Sequence, residues 1–395
     1  MASSGLKTKK RSIIAAGIIL VLIILALIVY FTGAYEALIA KLGILREGEI
    51  TPQSTFFEYI PKGTADMAVL DGNVIIADES GVSCFNKDGD WLWSKELSLA
   101  SPVMVSAGDY VLAADIGGTG VHCFDKNGFL WTYIAESTIT GISENCQNGK
   151  FLVIHKSSGY LSAATLLDVS AEGKALASRK FGESYAISAS FTEDGSKLAI
   201  TGIGSETGSI STVLTFMKTD SYDVYSTEIV SDEFLPVVAF VKNDSLFAAG
   251  GDSLRRIVKK ASSSTSGDTN DLIWDRDGGA RELVAAAAVS EKYFITVSTA
   301  AGAEEDMEAS CEVTVYESDG SKYTSFSVEG GIEGFELFGK TLAFYTKNEL
   351  YVYNMSGQFI GKFDSVSQIT DVEFLSERVL AVCGAAKMAK ADFNG

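Results

Sequence analysis

The chain offers few side chains suited to chemistry. Its only histidines, His122 and His155, each lie in an apolar, strand-like stretch, His122 beside Cys123. Acid–base work or metal binding needs a partner group held at a defined spacing, and neither histidine has an identifiable one. No GxSxG nucleophile elbow occurs. Five cysteines leave at least one unpaired within the monomer. Cys84 and Cys123 occupy the same place in a repeated phrase, which predicts equivalent positions on neighbouring units, too far apart to bridge, and core packing for both. Cys146, Cys311 and Cys383 share no motif spacing and CxxC is absent, so zinc is not expected. The stretches NKDGD (Asn86 to Asp90), DKNG (Asp125 to Gly128) and DRDGG (Asp275 to Gly279) resemble calcium loops only superficially. None completes the alternating carboxylates and distant glutamate of such a loop, and turn chemistry explains them. Trp91, Trp93 and Trp131 read as packing residues between repeats. The expectation is a protein with no catalytic residue, no metal and no cofactor.

The elements that would position any site follow from the repeated phrase. GVSCFNKDGDWLW (Gly81 to Trp93) and GVHCFDKNGFLW (Gly120 to Trp131) begin about 39 residues apart, the spacing of propeller blades. Each is an apolar strand, a polar turn closing on glycine, and an aromatic strand. Weaker echoes stand at Val313 to Tyr323 and Leu350 to Ile360. With only 4 prolines beside 38 glycines, the composition suits many short strands joined by glycine turns. The fold class read from these patterns is all-β: a β-propeller of eight four-stranded blades over Thr64 to Ala391, roughly 41 residues each, with seven as the alternative because the outer strands of blade five are hard to place. The last three strands, from Ile369 to Phe393, lack a fourth. Ser54 to Ile60 (STFFEYI) has no blade of its own and is expected to complete that last blade, removing an open edge.

The formal charge is -19. Four basic residues, Lys7, Lys9, Lys10 and Arg11, precede the apolar run, leaving 28 basic against 51 acidic residues, a net of -23, from Ala34 onward. So acidic a surface repels phosphate backbones, which excludes nucleic acid as a partner. Ile13 to Phe31 is an uninterrupted apolar run of 19 residues, which as a helix spans roughly 28 Å and matches a bilayer core. The basic cluster before it places the N-terminus in the cytoplasm. The domain reading is a basic tail (1–11), a single transmembrane helix (12–33), a juxtamembrane stalk (34–53) and an extracellular propeller (54–395). A cleaved signal peptide is the alternative, with Thr32-Gly33-Ala34 as its cleavage site; against it, signal h-regions are shorter than this run.

Phe85-Asn86 with Gly89 and Trp93, and Phe124-Asp125 with Gly128 and Trp131, resemble the repeat of quinoprotein-like (WD40/PQQ-like) propellers. Later blades keep Gly320 and Gly357 without the tryptophan. The resemblance implies blades docked by these residues. In the family's dehydrogenases it would also imply a pyrroloquinoline cofactor and calcium, but no adjacent cysteine pair is present here. The inner segments PVMVS, ISASF, VVAF and LVAAAAV carry almost no charge, so the scaffold-like members are the better match. One anchor followed by a degenerate propeller also resembles an uncharacterised family of bacterial membrane-anchored proteins, domain-of-unknown-function family 5711.

Long loops on a rigid scaffold are where binding concentrates. Gly202 to Gly208, Lys259 to Asp271 and Ala300 to Ser310 all read as connections between the second and third strands of blades four, five and six, rising from one sector of one face. Ser205, Glu206, Lys259, Lys260, Ser264, Asp268, Glu304, Glu305 and Asp306 are the candidate binding residues, a mixed-charge surface with the lysines near the acidic run. The functional expectation is a binding or scaffold module for an envelope protein or surface polymer. An extracellular enzyme, quinone-type or carbohydrate-active, is the alternative and would need convergent axial carboxylates. A ligand sensor would need a membrane partner, because the cytoplasmic tail is short.

Overall fold

The computed structural model describes residues 53–143, 145–206, 208–251, 253–260, 268–275, 281–289, 292–300 and 310–393. The tail, apolar run and stalk of the sequence reading therefore lie outside the described residues. Eight four-stranded antiparallel sheets account for every described strand, which settles the blade count at eight. Strands are lettered a to d outward from the axis.

In blade one, strand a is Ala65–Leu70, b Asn73–Asp78, c Gly81–Phe85 and d Trp91–Glu96. Blade two runs Pro102–Ala107, Tyr110–Asp115, Gly120–Asp125 and Gly128–Ile134. In both, the asparagine or aspartate at the start of the c–d turn, Asn86 or Asp125, caps that turn. Asn86 Oδ1 accepts the amides of Asp88 and Asp90 at 2.9 Å, and Asp125 Oδ1 accepts those of Asn127 and Gly128 at 2.8 and 3.0 Å. The first two calcium-like stretches are thus turns; most of the third lies outside the described residues.

Burial follows position within the blade. Strand b is covered on both faces by neighbouring blades and reads as a continuous apolar run, as in Asn73–Asp78 and Tyr110–Asp115. Strand d is outermost and mostly exposed. At the close of strand b in blades one and two, an aspartate ties the incoming chain down. Asp78 Oδ2 accepts Tyr59 Oη at 2.8 Å and the Lys62 amide at 2.9 Å, and Asp115 Oδ1 accepts the amides of Ala100 and Ser101.

The N-terminal segment completes the last blade as the sequence predicts, but as a shorter strand than Ser54 to Ile60. Strand d of blade eight is Gln53–Phe56, antiparallel to Lys387–Asp392, with Ser54 opposite Ala391 and Phe56 opposite Ala389. Phe57, just past it, is buried against Phe85 of blade one.

Five of the blade junctions dock through one recurring pair. Trp93 stacks on Phe124 at 5.6 Å and 7° and its Nε1 donates to the Lys126 carbonyl, beside Gly128 of blade two. Trp131 covers Gly173 in the c–d turn of blade three, Ile273 covers Gly320, Phe326 covers Gly357, and Phe57 covers Gly89. In each, a large side chain at a blade's outer part seats on the c–d turn glycine of the next blade. Trp93 and Trp131 are interblade packing as expected. Trp91 is not: it stands 61% exposed on the outer wall.

Candidate functional site

The predicted loop residues do not assemble on one face. Ser205 and Glu206 end strand b of blade four (Lys197–Glu206), opposite Ile210 and Ser209 at the start of strand c (Ser209–Lys218), so they sit in a b–c hairpin as expected. In blade five, however, strand c is Ser253–Val258 and strand d Thr269–Asp275. Lys259, Lys260 and Asp268 therefore belong to a c–d connection on the opposite face. Strand c there escapes the sequence pattern because Arg255 and Arg256 sit mid-strand; their guanidiniums are partnered by Glu233 and by Ser245, Ser318 O and Asp271.

The carboxylates beside the described lysines are Glu228 and Asp268. Lys259 Nζ lies 2.8 Å from Glu228 Oε2 and 3.9 Å from Asp268 Oδ2, while the Lys260 amide donates to Asp268 Oδ1 at 2.9 Å. Burial raises the Glu228 carboxyl, but hydrogen bonds from Lys259 and Asn270 outweigh it and hold it below its usual range. Ser264, Glu304, Glu305 and Asp306 lie outside the described residues.

The histidines and thiols are structural. His155 is buried, with Nδ1 2.8 Å from the Lys156 carbonyl and Nε2 3.0 Å from Thr165 Oγ1. His122 Nδ1 lies 2.9 Å from Thr132 Oγ1, and burial lowers its pKa. All five cysteines are free. Burial pushes the Cys84, Cys123, Cys146 and Cys383 thiols up to about 12, far from the thiolate that nucleophiles and metal ligands require.

Two groupings that the sequence reading missed stand out. The first lies at the axis, where the inner strands were expected to be almost uncharged. Asp66 on strand a of blade one, Glu336 on strand a of blade seven (Gly334–Phe338), and Asp371 and Glu373 on strand a of blade eight (Ile369–Ser376) converge. Burial raises all four carboxyls, Glu336 to about 7, and repulsion from neighbouring carboxylates adds to it at Glu336, Asp371 and Glu373. Backbone amides hold three of them. Asp66 Oδ2 accepts the Met104 amide of blade two at 2.7 Å, Asp371 Oδ2 accepts the Met67 amide of blade one at 2.8 Å, and Glu336 Oε2 accepts the Leu337 amide. Two of these bonds cross blades, so the cluster ties the inner ring together. Among the described residues no three His, Cys, Asp or Glu side chains are grouped to hold a metal ion.

The second grouping is on the outer wall. Strand d of blade one presents Trp91 and Leu92, and strand d of blade two presents Phe129, Leu130 and Ile134, the last 63% exposed. Lys95 Nζ sits 4.8 Å from the centre of the Phe129 ring, a contact between the two strands. Lys126 stands at its edge, 3.8 Å from Asp71. The outer strands of blades three and four, KALASRKF and VYSTEIVS, are far more polar. A solvent-facing apolar patch rimmed by charge marks an interaction site more often than a defect.

Residues 57–389, all of this ring but the closing strand and the end of strand c of blade eight, match the model of a family of unknown function, DUF5711. The chain belongs to that family. No curated protein matches it. Among solved structures, the DUF5711 propeller is similar to the C-terminal WD40 domain of Sif2, at 12% identity over 88% of this chain and 98% of that one with a TM-score of 0.57. It is similar to the Cps50 (Swd1) propeller of Myceliophteria thermophila at 11% identity, 86% and 99% coverage and a TM-score of 0.51. It is also similar to BamB from Moraxella catarrhalis at 14% identity, 86% and 95% coverage and a TM-score of 0.50. At such identities the likeness is one of fold.

Proposed function

We propose that the DUF5711 propeller is a binding scaffold, held at the outer face of a cell membrane by its apolar segment 12–33, with no catalytic activity of its own. It docks an envelope protein through the outer strands of blades one and two. The observation that carries this reading is the exposure of Trp91, Leu92, Phe129, Leu130 and Ile134 on two edge strands that Lys95 and Phe129 bring into contact. An outermost strand also offers unpaired backbone N–H and C=O groups, so an extended partner segment can add to it while its side chains meet the apolar patch. Lys95 and Lys126 at the rim favour a segment carrying acidic residues.

The axial carboxylates are what the enzyme alternative called for, but the amide bonds to Asp66 and Asp371 favour a structural role. For the scaffold reading, the test is Leu92→Glu combined with Leu130→Glu. Both side chains are exposed, so the melting temperature of the full chain is expected to hold within a few degrees. Recovery of a co-purifying envelope protein should fall at least tenfold. Unchanged recovery would overturn the proposal.

A further inference from the structure

The docking pair that joins five of the blade junctions is missing between blades three and four. In blades one and two the docking tryptophan stands opposite the residue just before a register shift between strands c and d: Trp93 opposite Cys84 and Trp131 opposite Cys123. Blade three repeats the shift between strands c (Tyr160–Asp168) and d (Lys174–Phe181), and there Ala177 stands opposite Leu166. The glycine side of the pair is changed as well. The c–d turn of blade four carries Tyr222, with φ of 61°, where blades two and three have Gly128 and Gly173.

The space left by the missing indole remains as a cavity of about 100 Å³. Its floor is apolar, with Leu166, Leu198, Ile200 and Met217 all buried. Arg179 and Lys218 line it too, and no carboxylate does. Neither cation has an ion pair among the described residues, although Arg179 lies 5.9 Å from the Phe181 ring. In a domain with a net charge of -23 beyond residue 33, two cations set together without a carboxylate make an exception to the surrounding field. A small apolar cavity of this order holds a body of about one aromatic ring. Two cations at its mouth, Arg179 exposed and Lys218 half-buried, favour an anionic head group by charge-assisted hydrogen bonds.

We propose that this junction binds a compact apolar monocarboxylate, a ring or branched aliphatic body of about six carbons carrying one carboxylate. The body takes the place of the absent tryptophan, and the carboxylate lies between Arg179 and Lys218. Occupancy replaces the missing docking contact and tightens blade three against blade four.

The test uses the purified full chain with phenylacetate and hexanoate as probes and hexanamide as the uncharged comparison, read by thermal unfolding. A saturable rise in melting temperature is expected for both carboxylates, with hexanamide at least tenfold weaker. Arg179→Gln with Lys218→Gln changes two side chains outside the apolar core and should bring phenylacetate down to the level of hexanamide. Ala177→Phe should fill the cavity, raise the melting temperature without ligand and abolish the response. The proposal is overturned by no saturable response at 10 mM probe, by equal responses to hexanoate and hexanamide, or by a response that survives Ala177→Phe. Should Ala177→Phe fail to fold, the double cation variant decides alone: an unchanged carboxylate preference there rejects the site.

Discussion

The Met67 amide donates to Asp371 Oδ2 at 2.8 Å, joining residues 304 apart in sequence across the seam where blade eight meets blade one. At the outer end of the same seam, strand d of blade eight is supplied by Gln53–Phe56. The propeller is therefore closed twice, by a carboxylate near the axis and by a borrowed strand at the rim. Closure matters because an unclosed ring would leave a strand edge open to association.

Phe57 anchors the borrowed strand, buried between Phe85 and the Gly89 turn. Phe57→Ala is expected to destabilise the protein by about 3–5 kcal/mol, measured by urea unfolding followed through tryptophan fluorescence. A chain lacking residues 1–60 should lose cooperative unfolding and aggregate, whereas one lacking only 1–50 should not. Identical behaviour of the two truncations would refute the closing role.

The docking glycines differ sharply from glycines that serve only a turn. Gly173 has φ of 71°, and a Cβ there would meet the Trp131 ring at 2.4 Å; Gly72 has φ of 75° with nothing within 4 Å. Gly72→Ala should cost about 1 kcal/mol, through backbone strain alone. Gly173→Ala adds a steric term of about 1–3 kcal/mol. Equal losses in parallel urea titrations would mean that Trp131 does not seat on the turn.

Burial first, then the charge of Asp66, raise the Glu336 carboxyl to about 7 against the Leu337 amide, which lowers it; in the unfolded chain it titrates near ~4.3. Between those values the folded protein binds more protons than the unfolded one, so this group's cost is absent below the unfolded pKa and grows as pH rises toward 7. Glu336→Gln keeps an acceptor for the Leu337 amide and cannot ionise. The variant should match the parent near pH 4.5 and melt at a higher temperature at pH 8. A difference independent of pH would show that Glu336 is not held near neutrality.

Much of the fold could be read from the sequence, because strands, Asp-Gly turns and the repeated phrase are local signals. The closing strand was legible as a strand without a blade. The axial carboxylates were not. On a strand of period two, Asp371 and Glu373 occupy alternating polar positions that look the same as solvent-facing ones, and only ring closure turns them inward. Asp66 was lost because strand a of blade one starts at Ala65, ahead of the apolar residues that mark it. Lys259 was placed on the wrong face because the paired Arg255 and Arg256 disguise a strand as a polar insertion. The outer apolar patch was hidden for a related reason: Trp91 and Trp93 are two residues apart in one phrase, yet one is on the wall and the other in the seam.

The most direct test of the scaffold account is a photo-crosslinking scan on intact cells. A photoreactive side chain is placed at Trp91 and Ile134 on the proposed surface, at Phe359 on the outer strand of blade seven, and at Ile210 in the blade-four hairpin, all of them exposed. The account predicts one shared protein adduct from positions 91 and 134 and none from 359 or 210. An adduct from 210 alone, or none from 91 and 134, would contradict it.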